Sequence, residues 1–335
     1  MMESLNNVTV VIRSVYERTE STCRRLILEQ GVPENAVFVT HESPFSKALT
    51  SSLRIGVEQN RVWTFCFDAD VLARDGAIRQ MIELAEYQPG KTCEVQGYVL
   101  DKFFGGPRTA GNHLYRTAFL EHALESIPDE GVAIRPEHHM LEVMQQSGFP
   151  WVIVRCLIGI HDDEQYYRDI FRKSFVQAHK HDHLCDLFLE HWRQRAAHDP
   201  DYQVALEGFA AGVRHRGGVR IDVSDSLFSV NLKQLGLEEK RPLSDSEWTL
   251  ARIEKTIQQW KEPPVYHRRF PLRAGLDQPK NLLNRLSFRN SPDPDASRLK
   301  VVFVRACNLV FLVPWMFGKI LVRLGCWIQT IVRID

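Results

Sequence analysis

Apolar positions in the first 160 residues alternate between short β-branched runs and faces at helical spacing. Val8–Ile12, Ala36–Thr40 and Val62–Phe67 read as strands. Thr19–Gln30 and Pro44–Glu58 read as the helices between them, the first broken by Gly31-Val32-Pro33 and the second opened by a proline suited to a first turn. A further helix carries Ile78, Met81, Ile82 and Ala85 on one face, at the spacing that packs on a sheet. This order predicts an α/β fold: a mixed, mainly parallel, Rossmann-like sheet flanked by helices. Ligands of such sheets sit outside the carboxyl ends of the strands, and Asp68-Ala69-Asp70 falls at such an end.

Further along, Val95–Leu100 reads as a strand, Phe103–Gly111 as a Gly-rich loop, Tyr115–Ile127 and Glu137–Gln146 as helices, and Trp151–Ile158 as an apolar strand. From Asp162 to about Leu206 the periodicity is helical, and a weaker helix spans Ser244–Trp260. The stretch 261–298 holds six of the chain's 16 prolines and reads as a basic linker. These changes divide the chain into a catalytic domain (1–165), a helical acceptor-side region (166–260), the linker (261–298) and a C-terminal amphipathic segment (299–335).

Charge sharpens that division. The formal net charge is zero, yet from Ala251 to Asp335 15 Lys and Arg face 6 Asp and Glu, leaving 27 against 36 before it. An acidic body argues against general nucleic-acid binding, while a basic tail can meet phosphates or lipid headgroups. The seven cysteines are scattered with no CxxC pair, the usage of a reducing compartment. A polar Met1–Asn7 leads straight into the first strand, so no signal peptide is expected.

Asp68 and Asp70 top a strand whose apolar run, Trp63–Phe67, calls for burial. Two acids in that place can hold a hard divalent cation and the phosphates it neutralises. His161, after the Trp151–Ile158 strand, is a further candidate ligand. Arg13, Glu17 and Arg18 follow the first strand, where they can contact the base, ribose or phosphate of a nucleotide, and Lys47 can reach a phosphate. Glu137 opens a helix after Pro136, where the dipole keeps a carboxylate ionised and suited to general-base work. Alternating histidines at 179, 181 and 183 project in different directions and make no tetrahedral zinc set.

The stretch Pro44-Phe-Ser-Lys-Ala-Leu49, Ile55-Gly56 and Trp63-Thr-Phe-Cys-Phe-Asp-Ala-Asp-Val-Leu72 resembles the donor-binding half of GT-A-fold glycosyltransferases of the family-2 type, in particular the bacterial surface-glycan type. Gly111-Asn-His-Leu-Tyr-Arg116, Arg135-Pro-Glu137 and Gly159-Ile-His161 follow in the order that family shows. The resemblance covers about residues 8 to 161. It implies a nucleotide-sugar donor, Mn²⁺ or Mg²⁺ held by Asp68, Asp70 and His161, and Glu137 as the base of an inverting transfer to a hydroxyl of a glycan or lipid-linked glycan. Departures are visible: the usual Pro and Asn turn after the first strand is replaced by Arg13–Arg18, and the usual Glu-Asp pair by Pro136-Glu137. A nucleotidyltransferase shares the sheet and paired acids but usually brings a Gly-rich phosphate loop, and a non-catalytic scaffold of the same fold is the other alternative.

Val301–Ile334 is strongly apolar, with Arg298, Arg305, Lys319 and Arg323 in a narrow sector at helical spacing. Its longest uncharged run, Ala306–Gly318, is too short to span hydrocarbon. A basic stripe on an apolar helix suits a membrane interface, which places the protein at the cytosolic face of a membrane.

Overall fold

A computed structural model describes residues 3–181, 185–223, 225–244 and 247–260. The chain divides at Arg269 into two units, and the second, Phe270–Asp335, lies outside the described residues, as do the linker and the amphipathic segment expected there. Among the described residues no helix is long and apolar enough to cross a membrane.

In chain order the first elements are α1 (Glu3–Asn6), β1 (Val8–Arg13), α2 (Glu20–Glu29), β2 (Val37–Thr40), α3 (Phe45–Gln59), β3 (Trp63–Asp68), β4 (Val71–Ala73), α4 (Ala77–Glu86) and β5 (Glu94–Asp101). Then come β6 (Gly106–Arg108), β7 (Asn112–Arg116), α5 (Leu120–Glu125), α6 (Pro136–Gln146) and β8 (Trp151–His161). Four helices follow: α7 (Tyr167–Lys180), α8 (Cys185–Arg195), α9 (Pro200–Arg214) and α10 (Leu250–Gln259). The sheet is mixed, in the order β2-β1-β3-β7-β5-β8-β4, with β6 paired to β5. β1 runs parallel to β2 and β3, and β5 parallel to β8. The pairings of β7 with β3 and β5, of β4 with β8 and of β6 with β5 are antiparallel.

β1 is buried along its whole length, with helices packed on both of its faces. Val8, Val10 and Ile12 join a core with Leu26 and Ile27 of α2 and Ile78, Met81 and Ile82 of α4. Val11 points the other way, into a core with Leu49 and Leu53 of α3 and Met140 and Leu141 of α6. Helices on both faces leave the strand ends as the open rim. Trp248 and Ile253 return to the first core. α7, α8 and α9 close over a third core with Phe103 and Phe104.

Four readings of the sequence change. Tyr115 lies in β7, not in a helix; the helix there is α5. The Gly-rich loop contains β6, and the long helical stretch after Asp162 is three helices. The apolar strand read as ending at Ile158 continues to His161, because its last residues pair with both β4 and β5.

Candidate active site

Register brings the chemistry to one edge. Arg13 and Asp68, the last residues of β1 and β3, are paired across the parallel ladder. His161, the last of β8, is paired with Val71 of β4 and with Asp101 of β5. Asp70 and Asp162 are the residues just outside these pairings. A close approach fixes this corner: a Cβ on Gly159 would lie 2.0 Å from the Leu72 carbonyl oxygen.

Asp70, His161 and Asp162 are all buried, and one ligand atom from each lies within 4.8 Å of the others. His161 Nδ1 stands 2.7 Å from Asp101 Oδ2, while its Nε2 faces Asp70 Oδ1 at 3.3 Å. A carboxylate behind the ring fixes the orientation of a ligating imidazole. Asp70 Oδ1 is buried without a hydrogen-bond partner. Asp162 has φ +63°, a left-handed conformation that Asp tolerates better than most residues, and its amide donates to the Asp70 carbonyl at 3.3 Å. The donor set, two carboxylate oxygens and one imidazole, suits a divalent cation. This cluster can hold a metal ion.

A cation of the chain's own lies there. Lys173 of α7 donates to Asp70, to Asp162 Oδ1 at 2.5 Å and to Gln165 Oε1 at 3.3 Å. Burial opposes its charge, but Asp162 and then Asp70 hold the ammonium well above its ordinary range. Burial likewise opposes ionisation of Asp70, and Lys173 and His161 overcome it, so its carboxyl lies well below the usual range. Burial also lowers the imidazolium of His161, against which Asp162 and Asp70 push it up to about 10. A divalent cation held there would compete with the Lys173 ammonium and with the second imidazole proton.

Asp68 stands outside this trio. Its side chain is 30% exposed and accepts from Arg13 Nε at 2.9 Å. Arg13 is 4% exposed and also donates through Nη1 to Glu137 Oε1 at 2.7 Å. Burial opposes its charge; Asp68 and Glu137 hold the guanidinium well above its ordinary value.

Glu137 is not an open carboxylate. Oε1 accepts from Arg13 and from the Tyr115 hydroxyl, each at 2.7 Å, and Oε2 lies 3.1 Å from His113 Nε2. Burial raises its carboxyl, but Arg13 and His113 outweigh it and hold the group below its ordinary value. The base expected at Glu137 is thus engaged on both oxygens, and its visible work is to hold Arg13. His113 Nδ1 reaches Glu94 at 3.0 Å, extending the buried polar chain from the rim across the sheet.

The other expected contacts spread out. Glu17 is half-buried and bonded by Ser14 Oγ at 2.8 Å and the Val15 amide at 2.6 Å; burial and then Asp70 push its carboxyl up. Arg18 pairs with Glu164 and donates to the Arg241 carbonyl at 2.8 Å. Lys47 is exposed on the first turn of α3, away from any ion pair among the described residues. Beside Glu17, Tyr16 is 67% exposed and stacks on His41, with ring centroids 4.3 Å apart and planes 8° from parallel. Lys173 and Asp101 were missed by the sequence reading; their contacts to Asp70 and His161 cross 103 and 60 residues of chain, and no local pattern marks them.

No known family model matches the sequence, and no curated protein matches it. Among solved structures, a glycosyltransferase involved in the glycosylation of the major capsid of PBCV-1 is similar over 44% of this chain and 82% of its own, at 10% identity and a TM-score of 0.34. A cytidylyltransferase from Leptospira borgpetersenii serovar Hardjo-bovis is similar over 47% of this chain and 78% of its own, at 15% identity and a TM-score of 0.31.

Proposed function

We propose that the protein is a metal-dependent glycosyltransferase that moves a sugar from a nucleotide-sugar to a hydroxyl of a glycan or lipid-linked glycan. The observation that carries this reading is the Asp70–His161–Asp162 cluster at the carboxyl ends of the strands, next to a half-exposed Asp68. Bound Mn²⁺ or Mg²⁺ would supply charge neutralisation for the leaving diphosphate. Asp70, His161 and Asp162 would hold that ion, with Asp101 orienting His161. Arg13 holds Asp68 in place, and Glu137 holds Arg13. Asp68, free on one side, is placed to accept from a ribose or sugar hydroxyl. The planar Tyr16–His41 pair at the ends of β1 and β2 offers a face on which a base can stack. The basic, apolar segment 299–335 would bring the enzyme to the cytosolic membrane surface where a lipid-linked acceptor lies.

The test is a screen of nucleotide-sugars with Mn²⁺ or Mg²⁺, reading the phosphorus product. Release of nucleoside diphosphate, abolished by Asp70→Asn and by EDTA, is the expected result. Release of inorganic diphosphate from a nucleoside triphosphate and a sugar phosphate would identify a nucleotidyltransferase instead. Absence of either product would leave the scaffold reading.

A further inference from the structure

Four basic side chains gather beside the metal cluster, and among the described residues two of them lack a carboxylate partner. The guanidinium of Arg108, on β6, lies 3.9 Å over the Phe104 ring. Phe104 meets the His181 ring edge-on with centroids 5.3 Å apart, and Arg135 Nη2 stands 2.7 Å from His181 Nε2. The same nitrogen donates to the Lys180 carbonyl at 3.3 Å, so residues from β6, the entry to α6 and the end of α7 meet around one aromatic pair. Arg172, two turns before Lys180 on α7, is 7% exposed, and its Nε is buried without a hydrogen-bond partner.

Arg108 has Asp101 at 2.6 Å, and Arg172 has Asp169 at 3.5 Å. Arg135 and Lys180 have no carboxylate within 4.0 Å among the described residues, and Asp68, the acid nearest in influence, is committed to Arg13. Among the described residues, Arg135 and Lys180 thus lack a carboxylate of their own. Cations gathered on one patch repel one another, and an anion among them relieves the repulsion. Burial, followed by Arg135, Arg108 and Arg172, pushes the Lys180 ammonium down to about 7, against the opposing charge of Asp68. Burial and Arg108 act on Arg135 in the same direction.

We propose that Arg108, Arg135, Arg172 and Lys180 form a subsite for an oxyanion carried by a substrate, either a phosphate ester or a carboxylate, apart from the Asp70–His161–Asp162 cluster. Guanidinium groups are suited to bidentate contact with such oxygens. The inference stands on the basic cluster alone and does not require the transferase reading.

The full chain in EDTA, titrated with millimolar sulfate by calorimetry and by thermal melting, tests it. Sulfate is expected to bind and to raise the Tm. Lys180→Gln and Arg135→Gln should each weaken binding about tenfold, the loss of one charge-assisted contact. Lys180→Gln should also melt higher than the parent in the absence of sulfate, since it removes an unpaired charge; this readout keeps the test decisive if Arg135→Gln folds poorly. Lys255→Gln, an exposed charge on α10, should bind sulfate like the parent. Binding that is absent, or equal in Lys180→Gln and Lys255→Gln, overturns the proposal. Adding a nucleoside diphosphate with Mn²⁺ separates the sources. Simultaneous binding assigns the oxyanion to the acceptor, and mutual exclusion assigns it to the donor. A protein that binds sulfate but no nucleoside diphosphate retains the subsite while refuting the transferase.

Discussion

Replacing Glu137 by Gln distinguishes two roles by what each leaves behind. A general base is needed for turnover and contributes little to folding, so its loss costs about 10²–10⁴-fold in rate. An anchor for Arg13 contributes to folding. In the variant, Arg13 stays buried and charged but keeps only Asp68, whose side chain is 30% exposed. Removing one partner of a buried pair costs about 3–5 kcal/mol, and because the amide oxygen still accepts one hydrogen bond the expected loss is about 2–4 kcal/mol. In urea this is a fall in midpoint of about 1 M or more at unchanged slope. Acid gives a second signature. The Glu137 carboxyl is held below its ordinary value of 4.5, so it binds fewer protons folded than unfolded. Its contribution is fully present above that value and disappears as pH falls through the lower folded one, so parent and variant should converge in acid. A variant as stable as the parent to within about 0.5 kcal/mol, yet with turnover lost, would refute the anchor and restore the base.

Because Asp162 and Asp70 push the His161 imidazolium up to about 10, metal binding should release close to one proton near pH 7.5 and strengthen as pH rises; calorimetry in buffers of different ionisation enthalpy reads this directly. Gly159→Ala should cost about 1–3 kcal/mol or more in a denaturant melt and weaken metal binding, since its methyl meets the Leu72 carbonyl. Burial pushes the thiols of Cys23 and Cys66 up, the latter to about 12, so an aromatic disulfide reagent at pH 8 should label neither until the protein is unfolded.

The first half of the sheet could be read from the chain because β1, β2 and β3 are short runs rich in β-branched and aromatic residues, which suit strands. β4 and β6 could not: each is three residues long and exists through its pairing with β8 or β5. β7 was hidden by its own chemistry, for Asn112 and His113 are polar yet buried. Asn112 accepts from the Gly97 amide at 2.8 Å, and His113 sits between Glu94 and Glu137. In the candidate site, Asp70 and His161 stood out because each follows an apolar strand. Asp68 shared that signal, but its proximity to Arg13 is a matter of register. Lys173 looked like any solvated helix lysine until α7 was folded over the rim.

The ladder between β4 and β8 sets His161 opposite Val71, and Asp70 stands in the two-residue turn directly before Val71, so the longer loops take no part in their spacing. Loops such as the one around Gly131, exposed and with open space beside it, can therefore lengthen or shorten without retuning the ligand spacing. In a directed-evolution library this would appear as an asymmetry. Insertions near residue 131 would be tolerated while metal affinity holds constant, whereas single-residue changes at 72, 73 and 159 would be purged although none of them bears a ligand.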